Sequence, residues 1–539
     1  MRQFLLILTF AVSTSAFAQT RYLDEVFTDV MVTDTIQFQK NWSVLPAVLS
    51  GNQLPPAPTP TYFQAYTPIG DTEMNRPCVI LNTTGSYFPQ LVGGGLFGKL
   101  DDSVVVETAK RFARLGYTAI ISEYRKGWNP TALTDVDART GSLLIASLRG
   151  AQDLRSIARY LRGTIANDGN PYGIDGNKLM VMGYGTGGYN AYNNNFLDDA
   201  SDVNTLAKFI GTNGQPYYIP QAYGDPDGLT AAQLNIPQNT GFSSEVQFSV
   251  GIGGAMGDTT WVDADDSPCI GLHSILDQNA PFAVGDVFVP VANNQRLFVI
   301  NVAGPRATLA TANRLGVNSV LDDANAVLRT SGDFLTLRSD ALSDDVFTTR
   351  DQVVTTLSTE NMYPFVTDLN LNLANTYNWV DSLTLSFFVN GFNAFTGDTT
   401  STATRIARDR VTNPNITSPV RAKLVIDTIM GFVVPRAYVA LGIGTAADLE
   451  NALDVVDISP ADVDFKVFPN PTSSFSTIEV REDVELQLIV LYDMNGRRLS
   501  HATVSGNRYG FDASNLPSGM YTLMVQTSEG VLSERILVD

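Results

Sequence analysis

Leu179-Met180-Val181-Met182-Gly183-Tyr184-Gly185-Thr186-Gly187-Gly188 decides the fold of this 539-residue chain. Four consecutive apolar residues read as a strand buried on both faces, the pattern of a parallel sheet. The strand runs straight into a glycine-rich turn, and a helix opens beyond it at Tyr189-Asn190-Ala191. Working outward, the same alternation repeats. Upstream, Pro77-Cys78-Val79-Ile80-Leu81 is a strand, residues 103–115 have helical spacing and stop at Gly116, and Thr118-Ala119-Ile120-Ile121 is the next strand. Residues 143–165 carry apolar side chains at helical spacing, with Arg149, Arg155, Arg159 and Arg162 on the other side. Downstream, residues 246–250, 269–272 and 297–300 continue the strand series. Strands alternating with helices predict right-handed βαβ units and an α/β fold with a mostly parallel sheet.

The flanks read differently. Residues 21–37 predict an opening hairpin or two strands, and residues 51–61 a Pro-rich connection, so 19–61 precede the α/β domain. That domain is expected over 62–455, with 305–455 a mixed helix-and-loop stretch suited to a cap or closing region. A linker is expected at 456–464. Residues 465–539 show short strands with turn signals, Asn495-Gly496 and Glu529-Gly530 among them, and predict a small all-β sandwich.

Composition narrows the function. Lys and Arg number 35 against 55 Asp and Glu, a formal charge of −20. Such a surface repels phosphate backbones, and no basic stripe offsets it, so nucleic acid and anionic membrane are excluded as expected partners. The two cysteines, Cys78 and Cys269, fall in different predicted core strands and read as buried thiols. There is no cysteine–histidine cluster, and no cofactor is expected. Only two histidines occur, His273 and His501. At the N-terminus, Arg2 precedes the apolar run 4–12, and Ala16-Phe17-Ala18 follows, the layout of a secretory signal peptide spanning 1–18. No stretch is long enough to predict a membrane-spanning helix, so no integral membrane protein is expected.

Three local motifs make the C-terminal segment similar to the type A sorting domain of the type IX secretion system. They are Pro469-Asn470-Pro471-Thr472, then Tyr492-Asp493-Met494-Asn495-Gly496-Arg497, then Leu516-Pro517-Ser518-Gly519-Met520-Tyr521, followed by a terminal strand. The resemblance implies handling by the type IX secretion machinery through residues 465–539. It also implies a secreted protein, in the medium or attached to the outer-membrane surface.

The strand–turn–helix at 179–191 has the context of a nucleophile elbow, G-x-S-x-G, where a strained turn exposes the nucleophile. The surrounding order resembles the α/β-hydrolase fold, in its secreted carboxylesterase or feruloyl-esterase-like branch. The residues that carry it are Arg76-Pro77, Phe112-Ala113-Arg114-Leu115-Gly116-Tyr117, Tyr124-Arg125-Lys126-Gly127, Gln152-Asp153 and Gly173-Ile174-Asp175-Gly176-Asn177-Lys178. After the elbow comes Pro268-Cys269-Ile270-Gly271-Leu272-His273-Ser274-Ile275-Leu276-Asp277. The likeness spans roughly 70–305 and implies Asp277 as the acid of a catalytic triad.

Three positions depart from the pattern. Gly185 stands where the nucleophilic serine would be, so the degenerate elbow Gly183, Gly185, Thr186, Gly187 can form no acyl-enzyme at 185. Thr84, Gly85 and Ser86 replace the His-Gly-Gly of the oxyanion loop. No histidine lies between His273 and His501, so the order Ser…Asp…His cannot be completed. The hydroxyl of Thr186 is expected to aim away from the pocket, and His273 to be a hydrogen-bonded structural residue. Asp258 is a candidate for the same cleft. Asp225 and Asp227 are a weak calcium candidate. Trp128, Trp261, Trp379, Tyr184 and Tyr189 are candidates for a sugar-stacking surface. The preferred expectation is a catalytically inactive, hydrolase-like secreted protein with a binding or structural role and a glycan or other cell-surface ligand. The alternatives are an esterase acting on acylated polysaccharide with relocated catalytic groups, and an adhesive or structural surface component.

Overall fold

The computed structural model describes residues 20–89, 95–130, 132–275, 277, 279–290, 296–330, 361–364, 376–411, 413–453, 458–493 and 498–539. The expected signal peptide, residues 1–18, lies outside them. So do the Asn495-Gly496 turn and much of 305–455. Two compact units divide the chain, Met1–Ala446 and Ala447–Asp539.

The first unit is built on a nine-stranded sheet. Its strands are β1 (Val30–Val32), β2 (Ile36–Ser43), β3 (Ala57–Pro68), β4 (Arg76–Asn82), β5 (Thr118–Ser122), β6 (Ile174–Tyr184), β7 (Phe248–Ile252), β8 (Cys269–His273) and, past the β9–β10 ribbon described below, β11 (Met362–Pro364). They run in the order β1-β3-β5-β4-β6-β7-β8-β11, with β2 beside β3. From β5 to β11 every pairing is parallel, and β3 lies antiparallel to β5, with β1 and β2 beyond it. The order reverses between β5 and β4, and this mixed sheet flanked by helices is α/β-hydrolase-like.

Alternation along β4 shows why both faces need cover. Val79 and Leu81 join the core that takes in the Ser103–Leu115 and Pro419–Ala440 helices. Cys78 and Ile80 join the opposite core, with Leu154, Ile157 and Leu161 of the Val136–Asn167 helix. Both cysteines are buried free thiols. The Val136–Asn167 helix is longer than its apolar pattern suggested, because Asp135 caps it by accepting the Ala138 amide at 2.9 Å.

Of the two readings of residues 21–37, hairpin or two strands, the structure has two strands, β1 and β2, which do not pair with each other but both pair with β3. Two expectations need correcting. The Pro-rich connection is in part strand, since β3 begins at Ala57. Around Pro58 and Pro60, β3 has β2 on one side and no strand on the other, so a missing N–H costs little. Residues 297–300 do not extend the parallel series. They belong to β10 (Arg296–Ala303), which pairs antiparallel with β9 (Val284–Pro290) in a separate two-stranded ribbon. So short a connection between adjacent strands permits only the antiparallel arrangement.

The second unit has its own core, including Ile478, Leu486, Leu523, Val525 and Ile536. It holds a three-stranded antiparallel sheet, β12 (Lys466–Phe468), β13 (Phe475–Glu479) and β16 (Arg508–Asp512). A four-stranded one contains β15 (Arg498–Thr503), β14 (Leu486–Asp493), β17 (Gly519–Thr527) and β18 (Val531–Val538). The Glu529-Gly530 turn joins β17 to β18, with the Thr527 amide donating to Gly530 at 2.8 Å.

Candidate functional site

The carboxyl ends of β4, β6, β7 and β8 converge, as parallel strands with one hand of crossover require. β6 delivers the elbow. Gly185 sits at φ 56°, ψ −117°, a conformation that L side chains rarely adopt. Its amide donates to Ile252 at 2.7 Å, and its carbonyl accepts the amides of Gly188 and Tyr189. Gly183 allows the turn to close, because a Cβ there would lie 1.9 Å from the Gly187 oxygen. The strained elbow is therefore kept, although residue 185 itself carries no side chain.

Thr84 takes the space a nucleophile would use. A Cβ on residue 185 would lie 2.3 Å from Thr84 Oγ1 and 3.0 Å from Thr84 Cβ. Thr84 comes from the loop after β4, whose Ser86 and Tyr87 both have positive φ, at 55° and 52°. That loop is pinned from below. Tyr87 donates its hydroxyl to Asn190 Oδ1 at 2.6 Å, Asn190 Nδ2 donates to Asn82 Oδ1 at 2.7 Å, and Asn82 Nδ2 donates to the Ser122 oxygen at 3.1 Å. Gly85 packs against the Gly98 backbone behind it. Thr186 is held by Tyr124, whose hydroxyl lies 2.8 Å from Thr186 Oγ1 and donates to the Thr84 carbonyl at 3.2 Å. Ser86 is exposed at the cavity wall.

Asp277 reaches this point from the loop after β8. Its Oδ1 accepts the amides of Asn279 at 2.7 Å and Ala280 at 3.2 Å. Its Oδ2 lies toward Gly253, 3.7 Å from where a Cβ on that residue would be. Burial pushes this carboxyl up to about 7, against the two amide hydrogen bonds. Tyr377, which follows β11, also reaches this point. Its hydroxyl lies 3.2 Å from the same point beside Gly253, its ring packs 4.9 Å from that of Tyr184, and it faces the Gly185 backbone and Asp277. Burial raises the Tyr377 phenol well above its ordinary value, so it stays neutral and is no base near neutrality. His273 is wholly buried, its Nε2 lies 3.0 Å from the Ala280 oxygen, and burial lowers it to about 4. A neutral ring must donate Nε2–H to that carbonyl. Nδ1 then has no hydrogen-bond partner among the described residues.

Above the elbow is a cavity of about 490 Å³. Thr84, Ser86, Gly185, Thr186 and Asp277 line it, together with Trp128, Leu143, Leu144, Phe209 and Trp261. The β9–β10 ribbon contributes Val287, Phe288, Val289, Ile300 and Val302. Of the aromatic residues singled out in the sequence, Trp128, Trp261 and Tyr189 meet here. Tyr184 is buried beneath, bonded to Thr108, and Trp379 packs beside Ser103. Asp258 turns to Lys208 at 2.7 Å. Asp225 accepts the amides of Leu229 and Thr230, and Asp227 accepts the Ser244 hydroxyl near Arg155. Among the described residues no group of three or more His, Cys, Asp or Glu could hold a metal ion.

The sequence reading missed two participants. Thr84 appeared only as part of an oxyanion loop, and Tyr377 not at all, because the search after Asp277 was for histidine.

In the second unit the sorting motifs become hydrogen bonds. Asn470 Nδ2 donates to the Arg535 oxygen at 2.8 Å, and Asn470 Oδ1 accepts the Leu537 amide at 2.9 Å, so one side chain pairs with the edge of β18. Pro469 and Pro471 flank it, both after cis peptide bonds. Tyr521 donates to the Pro517 oxygen at 2.6 Å, which ties the Leu516–Gly519 turn to β17. Asp493 ends β14, paired with Tyr521. Gly496 lies outside the described residues.

No curated protein matches the chain. Among solved structures it is similar to a thermophilic esterase from the planctomycete Thermogutta terrifontis. The propionate-bound form gives 13% identity and a TM-score of 0.27 over 46% of this chain and 74% of that one. The form phosphorylated by paraoxon gives 14% and 0.27 over 49% and 76%. No helix among the described residues is long and apolar enough to cross a membrane. Residues 466–539 match the family of secretion system C-terminal sorting domains, which direct export to the extracellular space or cell surface, and this C-terminal module is such a domain.

Proposed function

We propose that this is an exported, non-hydrolytic binding protein: an α/β-hydrolase-like domain that retains the pocket and has lost the catalysis. One observation carries the reading. The elbow keeps its strained backbone at Gly185, yet the Thr84 side chain fills the volume into which a nucleophile would project. Covalent catalysis needs a nucleophile with a base in reach. Here residue 185 has no side chain, Thr186 is held by Tyr124, and His273 is neutral and bonded to a carbonyl. The cavity of about 490 Å³ persists and falls in the size range of small-molecule sites.

The test is direct. The purified full-length protein should show no turnover of short-chain p-nitrophenyl esters above a heat-killed control, and no labelling by a fluorophosphonate probe. Turnover together with labelling would overturn the reading and direct attention to Ser86.

A further inference from the structure

The proposal here rests on the reading of the cavity as a binding site, and concerns which ligands it takes. Asp277 is the only acidic residue on the cavity lining, and no Lys, Arg or His lines it among the described residues. Its Oδ1 is engaged by two amides, while Oδ2 faces the floor near Gly253. The titratable groups facing it are Tyr189 from the helix after the elbow and Tyr377 from the segment after β11. Burial raises both phenols, so neither adds charge near neutrality. The remaining lining is mostly aromatic and aliphatic, with Trp128, Phe209, Trp261 and Phe288 the largest side chains, and its other polar groups, Ser147, Asn193 and Asn279 among them, are uncharged.

We infer that the cavity selects a small organic cation, an ammonium group on an apolar body, with the charge at the Asp277 carboxylate and the body against the aromatic walls. A half-buried carboxylate with no cationic side chain on the cavity lining among the described residues is costly to keep ionised, and a ligand that brings the positive charge relieves that cost. A carboxylate ligand would meet a like charge with no basic residue to offset it. Aromatic faces add attraction for a cation, strongest where water is excluded.

The experiment is calorimetric titration of the full-length protein at about pH 8, where Asp277 is mostly ionised, with phenethylamine, 2-phenylethanol and phenylacetate. Phenethylamine should bind at least tenfold more tightly than 2-phenylethanol, and phenylacetate most weakly. In Asp277→Asn that preference should vanish, with a melting curve showing the variant to be folded. Equal binding of the amine and the alcohol, or a preference that survives Asp277→Asn, would overturn the cation assignment and leave the non-hydrolytic reading standing. Failure of all three probes to bind would also overturn it. Ester turnover, measured separately, tests the reading beneath.

Discussion

At the scale of single residues, the site is governed by Gly185 and Thr84 sharing one volume. Restoring a serine at 185 brings two penalties. Its backbone must hold φ near +56°, and its Cβ meets Thr84 Oγ1 at 2.3 Å. Gly185→Ser should therefore lower unfolding stability by about 1–3 kcal/mol in urea titration and remain unlabelled by a fluorophosphonate. Adding Thr84→Gly should recover part of that loss, because it removes the steric share and leaves the strain. Buried carboxyls set a second expectation. Asp102 and Asp277 are both pushed up to about 7 by burial, from an unfolded value near 4. Between those values the folded state binds more protons than the unfolded state, so their contribution makes stability fall as pH rises from about 4 to about 7. Asp277→Asn should flatten that fall, seen as a smaller difference in urea midpoint between about pH 5 and pH 8. Asp71 works in the opposite sense. The Arg21 and Arg76 guanidinium groups offset its own desolvation and hold it at about 2, so its contribution is present above about 4 and lost toward pH 2.

At the scale of elements, the Val136–Asn167 helix anchors the domain through one charge. Asp153 accepts the Arg125 amide at 2.6 Å, Arg125 Nε at 2.8 Å and Gln39 Nε2 at 2.6 Å. Strand β2, the segment after β5 and the helix are thereby joined. Both members of the ion pair are buried, and Arg149 adds a second buried guanidinium nearby. Asp153→Ala leaves those cations uncompensated and should cost about 3–5 kcal/mol in unfolding stability, measured by denaturant titration. A motif visible in the sequence, Gln152-Asp153 with Tyr124-Arg125, thus proves to be structural cement under the site. The β9–β10 ribbon is the converse case. Its apolar residues suggested one more core strand, and the structure uses them as a cavity wall.

For the whole molecule, the two compact units correspond to two roles, a pocket and an export signal. The C-terminal unit has its own hydrophobic core and two antiparallel sheets. Deleting residues 458–539 should leave the protein inside the cell envelope. Fractionation and immunoblotting of a type IX-competent host would show this, with the intact chain found outside as the comparison. Asn470→Ala should weaken the same unit by about 0.5–1.5 kcal/mol, because two hydrogen bonds to the Arg535 and Leu537 backbone are lost and water replaces them only in part.

Much of this was legible in the chain itself. Continuous apolar runs at 77–81, 118–121 and 179–182 fixed parallel strands, because only a sheet covered on both faces buries every residue of a strand. Gly185 and the missing histidine excluded a serine relay, because a nucleophile and a base are side chains and their absence can be read directly. Prolines at 58 and 60 misled, because their tolerance depends on which edge of a strand has a neighbour, and pairing is not local. Only the tertiary structure could place Thr84 in the volume beside Gly185, set Tyr377 against Asp277, and turn residues 284–303 into a wall. These are contacts between residues about 100 apart or across separate strands, decided by how the sheet twists and its loops converge. The sequence determined which chemistry the site lacks; the packing decided what occupies the empty place and what charge its cavity presents.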